Sequence, residues 1–239
     1  MKKVMTYETL RSYAYSNDHL INGEIKGIVV EFFGLGSTTV HKTDNGDALE
    51  YAEKGIVYII PYNNPWNWMN AQAVAYTDEI IDVICEHYGL GDDVKVVSTG
   101  GSMGGLSSLV YTVYAKRTPV ACVANCPVCD FPFHYTERPD LPRTIYSSIF
   151  NEEGELEEVL RRRSPLHLVD RMPRVPYTVF HCERDASVNI NAHSIPFVEA
   201  MQKAGQDITF IRIPHRPHCN LTPAAWMQYR AAVLKAIEG

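Results

Sequence analysis

The chain has 239 residues, of which 46% are hydrophobic and 21% charged. Those are globular proportions, and they exclude disorder of the whole chain. With 22 Lys and Arg against 28 Asp and Glu, the net charge is −6, which argues against a non-specific nucleic-acid binder or a membrane-surface binder, since both want a basic face. No apolar run approaches the roughly 20 residues that span a bilayer. The start, Met1-Lys2-Lys3-Val4-Met5-Thr6-Tyr7-Glu8, has no apolar stretch behind its lysines and does not read as a signal peptide. The six cysteines, Cys85, Cys122, Cys126, Cys129, Cys182 and Cys219, are therefore expected as reduced thiols in the cytoplasm.

In chain order, the first 26 residues alternate weakly, and Asn22-Gly23 predicts a hairpin turn into the first central strand. Short apolar, β-branched runs follow at 27–33, 55–60, 94–98, 120–124, 177–181 and 208–213. Most lack alternation, as strands buried on both faces of a mainly parallel sheet do. Helices are predicted between them. Val74, Ile81, Ile84 and Tyr88 recur at helical spacing before a stop at Gly89. Leu106, Leu109, Val110 and Val113 make a second stripe, with Lys116-Arg117 expected in its last turn. Ser194 and Pro196 open a third helix, which Gly205 ends, and Thr222-Pro223 cap the last. Strand and helix in alternation predict an α/β fold, a mainly parallel sheet flanked by helices, in a single domain over 1–239.

Residues 130–170 break this rhythm with four prolines, several aromatics and a charged segment in which Glu157/Arg161 and Glu158/Arg162 stand four apart. The stretch reads as a small cap inserted over one end of the sheet. Phe131, Phe133, Tyr135, Tyr146 and Phe150 are expected to point inward from it.

The chemistry concentrates at Gly100-Gly101-Ser102-Met103-Gly104, a Gly-x-Ser-x-Gly pattern between an apolar strand and an amphipathic helix. A serine in that setting is pushed out on a strained turn, over a helix N-terminus whose free N–H groups favour an oxyanion. Ser102 is thus the candidate nucleophile. In chain order an acid and then a histidine follow. Asp185 falls just past the fifth central run, where such a sheet places ligand groups, and Glu183 is its rival. Of nine histidines, only His215 and His218 follow the last strand. His218, deeper in that loop, has the reach to fold back over Ser102. Two backbone donors are expected for the oxyanion, the N–H of Met103 and that of Leu35, which lies between Gly34 and Gly36. Tyr62, Trp66 and Trp68, among Asn63, Asn64, Asn67 and Asn70, are candidate substrate contacts, with a sugar ester in view. Cys126-Pro127-Val128-Cys129 lacks a second pair at metal-ligand spacing, so no metal or cofactor is expected, although Cys182 and Cys219 fall towards the same end of the sheet.

These residues resemble the α/β-hydrolase superfamily. Gly100-Gly101-Ser102-Met103-Gly104-Gly105, Ser164-Pro165-Leu166 and His181-Cys182-Glu183-Arg184-Asp185-Ala186-Ser187-Val188 look like prolyl-oligopeptidase-type catalytic domains and their stand-alone esterase relatives. Cys182 replaces the glycine of the His-Gly-x-x-Asp-x-x-Val pattern. The resemblance runs from about Gly27 to the C-terminus and implies Ser102, Asp185 and His218 as the triad. The implied function is a cytoplasmic serine hydrolase acting on a short-acyl carboxylic ester, with a small-molecule partner and neither nucleic acid nor membrane. A small peptidase or amidase is the alternative, and a non-catalytic binding protein a third.

Overall fold

A computed structural model describes residues 5–239. Lys2 and Lys3 of the leader reading lie outside them. The sheet has seven strands: β1 (Ala14–Ser16), β2 (Gly27–Phe32), β3 (Ile56–Pro61), β4 (Lys95–Gly101), β5 (Ala121–Asn125), β6 (Tyr177–Cys182) and β7 (Ile208–Ile213). Their order is β1-β3-β2-β4-β5-β6-β7, and every pairing is parallel except that of β1 with β3. β3 and β5 are buried at every position, which is why their sequences run apolar without alternation.

Helices cover both faces. On one lie α2 (Ala71–Tyr88), α3 (Met103–Tyr114) and α7 (Ser194–Lys203), whose Ile81, Ile84, Leu106, Leu109, Phe197 and Met201 share a core with Ile28, Val30, Val57 and Ile59. On the other, α1 (Gly46–Glu53) and α8 (Pro223–Glu238) bring Ala48, Tyr51, Tyr229 and Val233 against Val29, Tyr58, Val97 and Val123. Side chains therefore alternate between two cores along each central strand. The expected stops and caps form: Gly89 ends α2 in the left-handed region at φ 64°, and the Thr222 hydroxyl accepts the Ala225 N–H at 3.2 Å.

Four local expectations are corrected. The Asn22-Gly23 hairpin does not form, because β1 pairs with β3 through Tyr15 opposite Ile60 and not with β2. Asn17 directs this, its side chain donating to Ala48 and Ile56 carbonyls and accepting from Tyr58 N–H. Lys116 and Arg117 lie past the end of α3, where Asp78 and Asp82 bind Lys116. Glu157 pairs with Arg161 at 2.8 Å, whereas the Arg162 guanidinium turns instead to the Glu153 carbonyl.

The fourth concerns residues 130–170. They form α4 (Phe131–Glu137), α5 (Leu141–Ile149) and α6 (Leu156–Arg161), packed on the core through Phe131, Leu141, Ile145, Ile149 and Val159. The inward aromatic wall is absent among the described residues. Phe131 is buried, but Phe133, Tyr146 and Phe150 are 44%, 55% and 62% exposed. These helices are so short that Phe131 and their aliphatic residues fill the buried stripe, leaving Phe133, Tyr146 and Phe150 on the outer face.

Candidate active site

β4 ends in Gly100 and Gly101, and Ser102 turns the chain into α3 with φ 60° and ψ −124°. A non-glycine residue held there stores strain, and the surroundings enforce it. The Ser102 N–H donates to the Asn125 carbonyl at 2.9 Å. Close packing explains the glycine beyond it, since a Cβ on Gly104 would overlap the Phe32 carbonyl oxygen. The helix thus starts hard against the end of β2. Gly34 comes close as well, its notional Cβ lying 3.9 Å from the Ser102 Cβ.

Asp185 follows β6 in a tight turn, one carboxylate oxygen accepting the N–H groups of Ser187 at 2.8 Å and Val188 at 2.9 Å. Its other oxygen lies 2.5 Å from His218 Nδ1 and 3.5 Å from His181 Nε2. Burial opposes its charge, but His181, His218 and the Val188 N–H hold its carboxyl well below the usual carboxylate range. His181 packs behind this loop, bound to the Ser194 hydroxyl at 2.6 Å and the Val188 carbonyl at 3.0 Å. Since a carboxylate only accepts, His218 Nδ1 carries a proton, and in the neutral imidazole Nε2 keeps the lone pair. Burial works against a charge on His218, yet Asp185 and Cys126 raise its pKa to about 9. His215 sits exposed at the strand end, with φ 60°.

Ser102, His218, Leu35 and Trp68 line one cavity of about 480 Å³, with Phe33 and Val188. Among the described residues, neither the Met103 nor the Leu35 N–H has a protein partner. Trp68 is 1% exposed, with its ring against Phe131 and its Nε1–H donating to the Thr144 hydroxyl at 3.3 Å. Tyr62 and Trp66 line a different cavity, of about 690 Å³. The amides there serve their own loop: Asn64, Asn67 and Asn70 accept from the N–H groups of Trp66, Met69 and Ala73.

Three polar residues of the first cavity escape the sequence reading: Glu31, His134 and Arg138. Glu31 had a visible signal, being the one charge in an apolar strand. Burial pushes its carboxyl above the ordinary range, against the Tyr58 hydroxyl that donates to it. His134 and Arg138 stand four apart in the insert. Glu137 bridges His134 Nδ1 at 2.6 Å and His193 Nε2 at 2.9 Å. His134, Glu137 and His193 have the spacing of a metal site, but the tautomer opposes it. His193 Nδ1 accepts the N–H groups of Cys129 and Asp130, so its Nε2 carries a proton towards Glu137 and has no lone pair to give.

Comparison with known proteins agrees with this architecture. Residues 71–235 match the model of the prolyl oligopeptidase family. No curated protein matches the sequence. Among solved structures, the chain is similar to a Mycobacterium tuberculosis puromycin-hydrolyzing peptidase, with TM-score 0.70 and 17% identity over 90% of this chain and 34% of that one. An S-formylglutathione hydrolase from Agrobacterium tumefaciens gives 0.68 and 16% over 90% of this chain and 85% of that one. A Thermogutta terrifontis esterase gives 0.63 and 21% over 94% and 85%. The chain spans only 33–38% of the peptidases it matches. Among the described residues no helix is long and apolar enough to cross a membrane. With well over half its length matched, the chain belongs to the prolyl oligopeptidase family, serine hydrolases of the α/β-hydrolase fold.

Proposed function

We propose that this chain hydrolyses carboxylic esters with short acyl groups through an acyl-enzyme on Ser102. His218 takes the serine proton and returns it to the leaving alcohol, Asp185 orients and stabilises the imidazolium, and the Met103 and Leu35 N–H groups hold the oxyanion. Water, deprotonated by the same imidazole, then releases the acid. One observation carries this reading: His218 lines the cavity of Ser102 while its Nδ1–H is bound to Asp185 at 2.5 Å, leaving Nε2 as a base. Asp185 stays charged throughout the working pH range, as an orienting carboxylate must.

The short acyl group follows from a cavity of about 480 Å³ backed by the fixed indole of Trp68. Ester cleavage over peptide cleavage is supported by the likeness to a thioester hydrolase and an esterase across 85% of their own lengths. A small peptidase or amidase is the second reading, favoured by the family match itself. The proposed compartment is the cytoplasm, in keeping with six free thiols. The test is a screen of p-nitrophenyl esters from acetyl to decanoyl, acetylated sugars and aminoacyl p-nitroanilides. Acetyl to butyryl esters are expected to turn over fastest, with about 1 kcal/mol per methylene until the wall is met. A rate that climbs through the long chains overturns the short-acyl reading, and turnover of anilides without esters favours the second.

A further inference from the structure

Two thiols stand beside the His218 ring. Cys219 Sγ lies 3.6 Å from Nε2. Cys126 Sγ accepts the N–H groups of Cys182 at 3.3 Å and of Cys219 at 3.4 Å. The two sulfurs and a ring nitrogen of His218 all lie within 4.8 Å of one another. Both cysteines are non-glycine residues in the left-handed region, at φ 45° and 54°, so the backbone is bent at both points that present the sulfurs.

The chemistry of this trio is that of a soft cation site. A tetrahedral zinc with nitrogen near 2.05 Å and sulfur near 2.3 Å separates those ligand atoms by about 3.6 Å. That matches the observed Cys219–His218 spacing. Contact with Cys182 favours a thiolate at Cys126, but Cys219 and burial outweigh it and hold the thiol above its usual pKa, so the cation must displace that proton. His218 already donates its Nδ1–H to Asp185, the carboxylate–histidine arrangement that orients a metal-bound imidazole. Two sulfurs and one imidazole select zinc over magnesium or calcium.

We propose that Cys126, His218 and Cys219 form a three-ligand site for a thiophilic divalent cation, with zinc as the first candidate. On binding, each thiol and the His218 imidazolium release one proton to solvent, and each sulfur and the freed ring nitrogen donate an electron pair to the cation. His218 ligates as the neutral imidazole and keeps its hydrogen bond to Asp185. The fourth position, towards the cavity, takes water. Nε2 is then no longer available to a serine hydroxyl, so zinc silences the hydrolase without any change of fold. The binding claim stands on these three side chains alone, while the inhibition claim also rests on His218 as the base.

The test uses the full chain, kept reduced with a phosphine. Zinc is titrated against a chromophoric chelator, and cobalt is added separately to read the thiolate-to-metal charge-transfer band. Wild type is expected to bind one zinc more tightly than about 1 μM. Cys219→Ser, at a half-buried position, and Cys126→Ala should each weaken binding by roughly 100-fold or more. Cys85→Ser should bind as wild type does. If Cys126→Ala does not fold by circular dichroism, Cys219→Ser and His218→Ala decide. Absence of zinc binding by wild type, or wild-type affinity in Cys219→Ser, overturns the site. Tight zinc binding with undiminished ester turnover would leave the metal site standing and refute His218 as the base.

Discussion

Replacing Gly104 by Ala drives a methyl group into the backbone of β2. The new Cβ would overlap the Phe32 carbonyl oxygen and lie 2.7 Å from the Phe32 carbonyl carbon and 2.8 Å from the Phe33 oxygen. Those are backbone atoms, so no side chain can rotate away, and either the start of α3 or the 32–35 segment must shift. Alanine gains about 1 kcal/mol as a helix former. Overpacking at its upper range costs about 3 kcal/mol, for a net loss of about 2 kcal/mol. For a chain of this size that lowers Tm by about 4–8 °C. The catalytic effect should be larger, because the shift separates the Leu35 N–H from the Met103 N–H. Loss of one oxyanion donor costs roughly 100- to 1000-fold in kcat. Thermal unfolding followed by circular dichroism, with kcat on p-nitrophenyl acetate, measures both. A Gly104→Ala protein with wild-type Tm and kcat would refute the close approach and the role assigned to the loop.

Three further outcomes are expected. His218→Ala should lose about 10⁴-fold or more of ester hydrolysis while His215→Ala loses little, and the reverse would move the base to His215. The base must be neutral to act, so kcat/KM should rise with pH through the raised pKa of His218, about 9; a midpoint at or below 6.5 contradicts the Asp185 contact. All six cysteines, free in the structure, should titrate as thiols in freshly denatured protein without reductant, and fewer would signal a disulfide.

The central strands and their order of appearance were legible because each is a short β-branched run between helix signals. The turn at Ser102 was legible because the close approach of α3 to β2 demands glycine at 104, and glycine is visible in a sequence. Pairing of β1 with β3 was not, since it depends on Asn17 reaching residues about forty positions away, from Ala48 to Tyr58. The outward Phe133, Tyr146 and Phe150 were misjudged because composition does not say which stripe of a short helix meets the core. The sulfur cluster was hidden for a different reason: Cys126 and Cys219 adopt positive φ without being glycine, and nothing in their identity announces it. His134 and His193 are likewise brought together, edge to face and bridged by Glu137, across two separate helical segments.

The central claim is that Ser102 is an activated nucleophile, and the most direct measurement is covalent labelling by a fluorophosphonate, read by mass spectrometry of the digested protein. One adduct on the peptide containing Ser102 is expected, with none in Ser102→Ala and a greatly slowed reaction in Asp185→Asn. Absence of an adduct in folded wild-type protein, or equal labelling of Ser102→Ala at another residue, would contradict it.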